Sequence, residues 1–164
     1  MTDINKIIAA YSEQLKNPQI KAAYQYLIKF MMRLKGLFIR AEGENFTFGN
    51  VSPGYMDYSY FPFYNALVKQ HGLRFGIVLN HQNMAFELWL MGQNMMIQKK
   101  FWRLFKTSPW MQNYSTMPRY SALEVQLLNQ PDFNHEKELM ENILQNALQY
   151  IGEILVFIES NTQT

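Results

Sequence analysis

Residues 73–91, LRFGIVLNHQNMAFELWLM, restrict the possible folds more than any other stretch of the chain. Phe75, Ile77 and Leu79 alternate with Arg74, Gly76, Val78 and Asn80, and Phe86, Leu88 and Leu90 alternate with Ala85, Glu87, Trp89 and Met91. That is the period of two that a β-strand imposes. With residues 81–84 as a four-residue loop, Leu79 falls opposite Phe86, Ile77 opposite Leu88 and Phe75 opposite Leu90. A one-residue slip would turn every one of these side chains to the other face, so the apolar pattern fixes the register. The second face then pairs Asn80 with Ala85, Val78 with Glu87, Gly76 with Trp89 and Arg74 with Met91. Its mixed character makes it the place to look for chemistry.

Helices are expected on both sides of this hairpin. Ile4, Ile7, Ile8, Tyr11 and Leu15 recur at helical spacing over residues 3–16, with Thr2 or Asp3 as N-cap. Asn17-Pro18 interrupts that helix and starts a second one to about residue 40, with Ile20, Ala23, Tyr24, Leu27, Phe30, Met31, Leu34 and Phe38 as its buried stripe. Residues 46–51 and 55–61 read as short strands around a Ser52-Pro53-Gly54 turn, with Tyr55, Asp57 and Ser59 on one face and Met56, Tyr58 and Tyr60 on the other. Pro62 ends the second strand or marks an edge. A helical turn over 65–70, a helix over 95–106 with Ile97, Phe101, Leu104 and Phe105 inward, and a strand over 120–128 with Leu123, Val125 and Leu127 inward follow. A long helix over 134–159 buries Met140, Leu144, Ala147, Ile151, Leu155 and Ile158, and the tail from Ser160 is expected to fray. The fold class is therefore α+β: a mostly antiparallel sheet of about four to five strands, N-terminal helices, one helix after the central hairpin and a long C-terminal helix.

At 164 residues, 48% hydrophobic and 17% charged, the chain suits a single domain, 1–164, with a packed core. A net charge of +2 is too small to indicate nucleic acid by itself, and the cations Lys99, Lys100, Arg103 and Lys106 suit a solvated helix face. No cysteine is present, which excludes disulfides, thiol nucleophiles and thiolate metal sites. The start, MTDINKII, lacks the basic region of a secretory signal, and every apolar run falls short of the roughly 20 residues that span a bilayer. A cytoplasmic protein without membrane contact is expected.

Candidate chemistry centres on Asp57, Arg74, Asn80, His81, Glu87 and Trp89. If the Asp57 face of its strand is the Glu87 face of the hairpin, two carboxylates approach each other and can serve as acid and base, or hold magnesium or manganese. In the other reading Asp57 accepts backbone hydrogen bonds in a turn and Glu87 pairs with Arg74 or a helix lysine. Trp89 and the Tyr55, Tyr58, Tyr60, Phe61 and Phe63 cluster can stack bases or pack the core or an edge. Ser59, His81 and Asp57 can be drawn as a triad, but nothing in the sequence places them so, and no nucleophile elbow, glycine-rich phosphate loop or paired-histidine metal motif occurs.

The blocks GYMDYSYF at 54–61, LRFGIVLNH at 73–81 and F-E-L-W-L-x-G-x-N at 86–94, followed by Gln98 and Trp102, resemble a family of uncharacterised bacterial proteins, domain-of-unknown-function family seven thousand. The resemblance spans nearly the whole chain and implies a bacterial, stand-alone domain. It brings no activity with it. The matched positions are Tyr55, Asp57, His81, Glu87, Trp89, Asn94 and Gln98, which, with Arg74, make up the candidate ligand-binding set. Residues 18–128 are also similar in element order to the restriction-endonuclease-like nucleases, but the E-x-K tripeptide of those enzymes corresponds to Glu87-Leu88-Trp89, with tryptophan in place of lysine. The expectation is a non-catalytic binding or interaction module for a small polar ligand or a protein partner, with homo-oligomer formation through the aromatic surface open. The alternative is a metal-dependent hydrolase, or a degenerate endonuclease-like protein, using Asp57 and Glu87.

Overall fold

A computed structural model describes residues 1–162. The elements run α1 (Ile4–Gln14), α2 (Pro18–Glu42), β1 (Thr47–Phe48), β2 (Tyr58–Tyr64), α3 (Ala66–Gln70), β3 (Leu73–Asn80), β4 (Ala85–Gly92), α4 (Met95–Phe105), β5 (Leu123–Asn129) and α5 (Glu136–Thr162), the last preceded by a 3-10 turn, Phe133–His135. The five strands form one antiparallel sheet in the order β1-β2-β3-β4-β5. The architecture is α+β, as the sequence indicates.

The central hairpin has the register that its apolar alternation demands: Leu79 faces Phe86, Ile77 faces Leu88 and Phe75 faces Leu90. These six side chains are at most 1% exposed and join Phe61 and Phe63 of β2, Leu123 and Val125 of β5 and the inner faces of α2 and α5 in the main core. The opposite face of the sheet carries a second, small cluster of Val78, Trp89 and Met91, with Tyr58 and Tyr60 packed on it. A bulge between Phe86 and Glu87 shifts the pairing with β5, and Asn146 of α5 donates to the Leu127 carbonyl at that point, 2.9 Å away.

Strand β2 lies three residues later than its sequence signals imply. It runs straight through Pro62, because the proline faces the sheet edge: Gly49 N donates to Pro62 O at 2.8 Å, while the missing proline N–H would have pointed to the same neighbour. Pairing with β1 accordingly reaches only from Thr47↔Tyr64 to Phe48↔Phe63. The strand expected over 46–51 is thus two residues long.

Helix faces also shift. In α5 the buried set is Leu139, Ile143, Leu144, Ala147, Ile151, Ile154 and Ile158, so Met140 and Leu155 lie only partly buried at its border. Instead of fraying from Ser160, α5 stays helical through Thr162. In α2 burial begins at Leu27; Ile20 and Ala23 are exposed and Tyr24 is half-buried. Arg33 of α2 forms an ion pair with Glu136 that ties the two long helices together.

Candidate functional site

The GYMD block is a turn, not a strand. Gly54 has φ +69° after Pro53, as the second central position of a type II turn requires, and a β-carbon there would lie 2.2 Å from the Tyr58 carbonyl oxygen. The Asp57 carboxylate accepts from the backbone N–H of Tyr55 at 2.9 Å and of Tyr58 at 2.6 Å. Those two donors hold its carboxyl below the usual carboxylate range. Met56, between them, is in the left-handed region with φ 62°, and Tyr55 stands 95% exposed. The carboxylate is therefore a structural acceptor that stabilises a strained loop.

Asp57 and Glu87 do not share a sheet face, contrary to the premise that would have joined them. Asp57 precedes β2, and the strand residue two places on, Ser59, points into the main core with 0% exposure. It is Tyr58 and Tyr60 that share a face with Glu87 and Trp89, through the pairings Tyr60↔Val78 and Val78↔Glu87. Glu87 turns to its own strand, accepting from Trp89 Nε1 at 3.3 Å. The carboxylate that neighbours it is Glu124 of β5, which accepts from Ser121 Oγ at 2.8 Å and Tyr114 Oη at 3.1 Å. Burial, with the Glu87 charge adding to it, pushes the Glu124 carboxyl up. Among the described residues no group of three or more His, Asp or Glu side chains is arranged to hold a metal ion.

Four of the sequence candidates do meet. Tyr55, Asp57, Arg74 and Trp89 contribute to one solvent-open cleft of about 330 Å³ on the second face of the sheet. Its walls are aromatic: the Tyr58 ring lies 4.8 Å from the Trp89 ring and 6.1 Å from the Tyr120 ring, centre to centre. Arg74 is exposed and makes no ion pair among the described residues. Tyr60, Met91 and Tyr120 complete a surface that is apolar and flat-sided, with one free cation at its margin. Tyr60 belongs to the aromatic cluster that the sequence offers for stacking, whereas Tyr120 does not; carrying the alternation of β2 past Pro62 to Tyr64 sets Phe61 and Phe63 inward and the tyrosines outward.

His81 belongs elsewhere. Ser59 Oγ donates to the Pro53 carbonyl at 2.7 Å and lies 2.7 Å from His81 Nε2. A hydroxyl has one proton, so the imidazole must be the donor in the second bond. That is the reverse of the serine-to-histidine proton transfer that activates a nucleophile. The backbone N–H of His81 also donates to the Asp57 carbonyl at 2.9 Å. Ser59, His81 and Asp57 thus come together as a staple joining the GYMD turn to the hairpin tip. Burial keeps the His81 imidazole below its ordinary pKa, against the opposing pull of the Asp57 charge.

The chain matches one family model, described as Domain of unknown function (DUF7000), over residues 4–158. It belongs to that family. No curated protein and no solved structure gives a match. The DUF7000 region takes in every element from α1 to nearly the end of α5, and so both the cleft and the staple.

Two further candidates from the sequence, Asn94 and Gln98, do structural work. Asn94 caps α4, its side chain accepting from Ile97 N at 2.9 Å. Gln98 is 5% exposed and its Nε2 lies 3.4 Å from the Arg119 carbonyl, fastening α4 to the loop before β5. Gly92 lets this helix start against the end of β4, since a β-carbon there would sit 2.6 Å from Gln98 N. The G-x-N spacing followed by Gln98 therefore encodes a strand-to-helix corner.

Proposed function

We propose that this chain is a non-catalytic binding module that holds a small ligand in the cleft on the second face of its sheet, the ligand having a flat unsaturated part and an anionic group. One observation carries the reading: an open concavity of about 330 Å³ walled by Tyr58, Tyr60, Trp89 and Tyr120 has the exposed Arg74 guanidinium at its margin. Ring faces stack on planar groups with little chemical selectivity, while a guanidinium selects carboxylate or phosphate. The volume lies at the small end of ligand pockets. Asp57 supports this reading indirectly, because its carboxylate is engaged in shaping the Tyr55 rim. As part of the same proposal the protein acts as a single domain in the bacterial cytoplasm.

Fluorescence titration with three probes, indole-3-acetate, adenosine monophosphate and the uncharged indole-3-ethanol, tests the proposal. At least one anionic probe is expected to saturate below about 1 mM, with Arg74→Met weakening it about tenfold or more and leaving indole-3-ethanol unchanged, and Trp89→Leu weakening all three. Failure of both anionic probes to saturate, or equal binding by Arg74→Met, would remove the cleft as a ligand site.

A further inference from the structure

Residues 112–120, between α4 and β5, are exposed or half-buried throughout, yet this stretch carries Tyr120, one wall of the cleft. The chain on either side is firmly seated: Met111 and Ala122 are 0% exposed, and Ala122 N donates to the Leu90 carbonyl at 2.8 Å. Between these anchors, three side-chain hydrogen bonds tie the loop to the rest of the chain among the described residues. One is long, from Gln98 Nε2 to the Arg119 carbonyl at 3.4 Å. The other two end on a single carboxylate. Glu124 Oε2 accepts from Tyr114 Oη at 3.1 Å and Oε1 from Ser121 Oγ at 2.8 Å, so each oxygen holds one end of the loop.

We propose that Glu124 is the positioning residue of the cleft: ionised, it latches residues 114–121 and holds the Tyr120 ring against Tyr58, and protonated, it releases that wall. The inference rests on the cleft being the binding site, and it names how that site is regulated. An ionised carboxylate only accepts, which suits two incoming hydroxyls, and its bonds are charge-assisted. A carboxyl group carries a proton on one oxygen, so one hydroxyl loses its acceptor and the bond that remains is neutral and weaker. Tyr120 follows the loop because it is joined to Ser121 and its side chain makes no hydrogen bond among the described residues. Its ring contacts, Tyr58 at 6.1 Å and the Arg119 guanidinium at 5.0 Å, fix no position once the loop is free, since Arg119 moves with it.

The surroundings move the release up from the ordinary glutamate range toward neutral pH. Burial raises the Glu124 carboxyl most, and the Glu87 charge on β4 adds to it, outweighing the two hydroxyl bonds that pull the other way. The other titratable groups that face it are phenols. Tyr114 in the loop is pushed up by burial and then by the Glu124 charge, and Tyr58 on β2 by burial and then by the Glu124, Glu87 and Asp57 charges. Both therefore stay protonated, and Tyr114 stays a donor, throughout the range in which Glu124 titrates. Neither Glu124 nor Glu87 forms an ion pair among the described residues, so no cation holds Glu124 ionised. A glutamine at this position has one acceptor oxygen and no charge, which makes Glu124→Gln the released form, fixed against pH.

Amide hydrogen exchange on the ligand-free full chain, with the intrinsic pH dependence divided out, reads the latch without any ligand. The reporter is the Tyr114 N–H, which donates to the Met111 carbonyl at 3.1 Å within the loop. Its protection is expected to fall about tenfold in Glu124→Gln at about pH 8, and by a similar factor in the wild type between about pH 8 and about pH 5, a change that Glu124→Gln does not show. Glu87→Gln keeps an acceptor for Trp89 Nε1 and removes the neighbouring charge, so it is expected to move the wild-type midpoint to lower pH. Indole-3-acetate and indole-3-ethanol are then titrated at about pH 8, where Glu124→Gln is expected to weaken both alike, because the lost wall is a stacking one. Tyr114 protection unchanged in Glu124→Gln, a pH profile that this variant retains, or a midpoint unmoved by Glu87→Gln would each overturn the latch, the last even if Glu124→Gln fails to fold. Probes held as tightly by Glu124→Gln as by the wild type would separate the latch from the Tyr120 wall and overturn its positioning role. Probes that do not bind the wild type strike the cleft reading alone, and the exchange results still decide the latch.

Discussion

Ser59→Ala is the most informative single change, because its cost depends on which way the protons run in the staple. The hydroxyl is 0% exposed and holds two partners, the Pro53 carbonyl and the His81 imidazole, both at 2.7 Å. Removing it deletes two hydrogen bonds, each with a net value of about 1 kcal/mol, and strands the His81 N–H and the Pro53 oxygen in a place that water does not reach easily. The expected loss is about 2–3 kcal/mol, or roughly 5–10 °C in Tm for a chain of this length. Urea unfolding followed by tryptophan fluorescence measures it. Combined with His81→Leu, the double-mutant cycle is expected to show a coupling of about 1–2 kcal/mol, since the two side chains share one bond and the second removal costs less once the first is made. A loss below about 0.5 kcal/mol, or no coupling, refutes the staple. The proton direction has its own control: a fluorophosphonate probe is expected to leave Ser59 unlabelled, and labelling that vanishes in Ser59→Ala would show a nucleophile where a structural hydroxyl is argued.

In a proton NMR titration His81 should have its midpoint below the ordinary histidine value and His135 above it, because burial disfavours the charged form of the first and Asp132 hydrogen-bonds the second; the reverse order would contradict both. For His81 the depressed folded-state pKa means that its contribution to stability is intact above about pH 6.5 and lost as pH falls below that value, where only the unfolded chain takes up the proton. Gly92→Ala forces a β-carbon within 2.6 Å of Gln98 N and 2.9 Å of its Cα, both backbone atoms of α4, and should cost about 2–4 kcal/mol in the same urea assay; a cost under about 1 kcal/mol would mean that the corner can yield.

The hairpin was legible because large apolar residues recur every second position on both strands and only one register buries them all. The same logic read the inward face of β5 correctly, Leu123, Val125 and Leu127, though the strand starts at Leu123 and not at Tyr120. It misplaced β2 by setting the strand at 55–61, ahead of Pro62, which put GYMD, a turn, inside it; of the two roles left open for Pro62, an end or an edge, the structure has the edge. From that slip came the supposed Asp57–Glu87 pair. Periodicity in α1 was also read correctly as a helix, but a pattern of side chains tells which face is apolar and not what covers it, and here the body of the chain does not. Arg74 and Trp89 were recoverable from the hairpin alone. Tyr120 was not, since it reaches the cleft from the loop before β5, a contact between residues 62 positions apart in sequence from Tyr58. His81, Asn94 and Gln98 serve the architecture, as a staple, a cap and a tie.

The way β2 meets its outer neighbour bears on whether the sheet can take on further strands. The most apolar strands, β3 and β4, lie inside the sheet, each paired along both sides. A chain with strands this rich in Phe, Ile and Leu is the kind that grows fibrils by adding strand to strand at an open margin. On the β2 side that margin is a broken strap: two residues of ladder, one bond from Gly49 to Pro62, and an isolated bridge between Ser52 and Tyr60. Such a strap satisfies most of the inner strand while presenting no straight row of donors and acceptors outward. Pro62 thus shortens β1 and, by doing so, denies an incoming strand a template on that side.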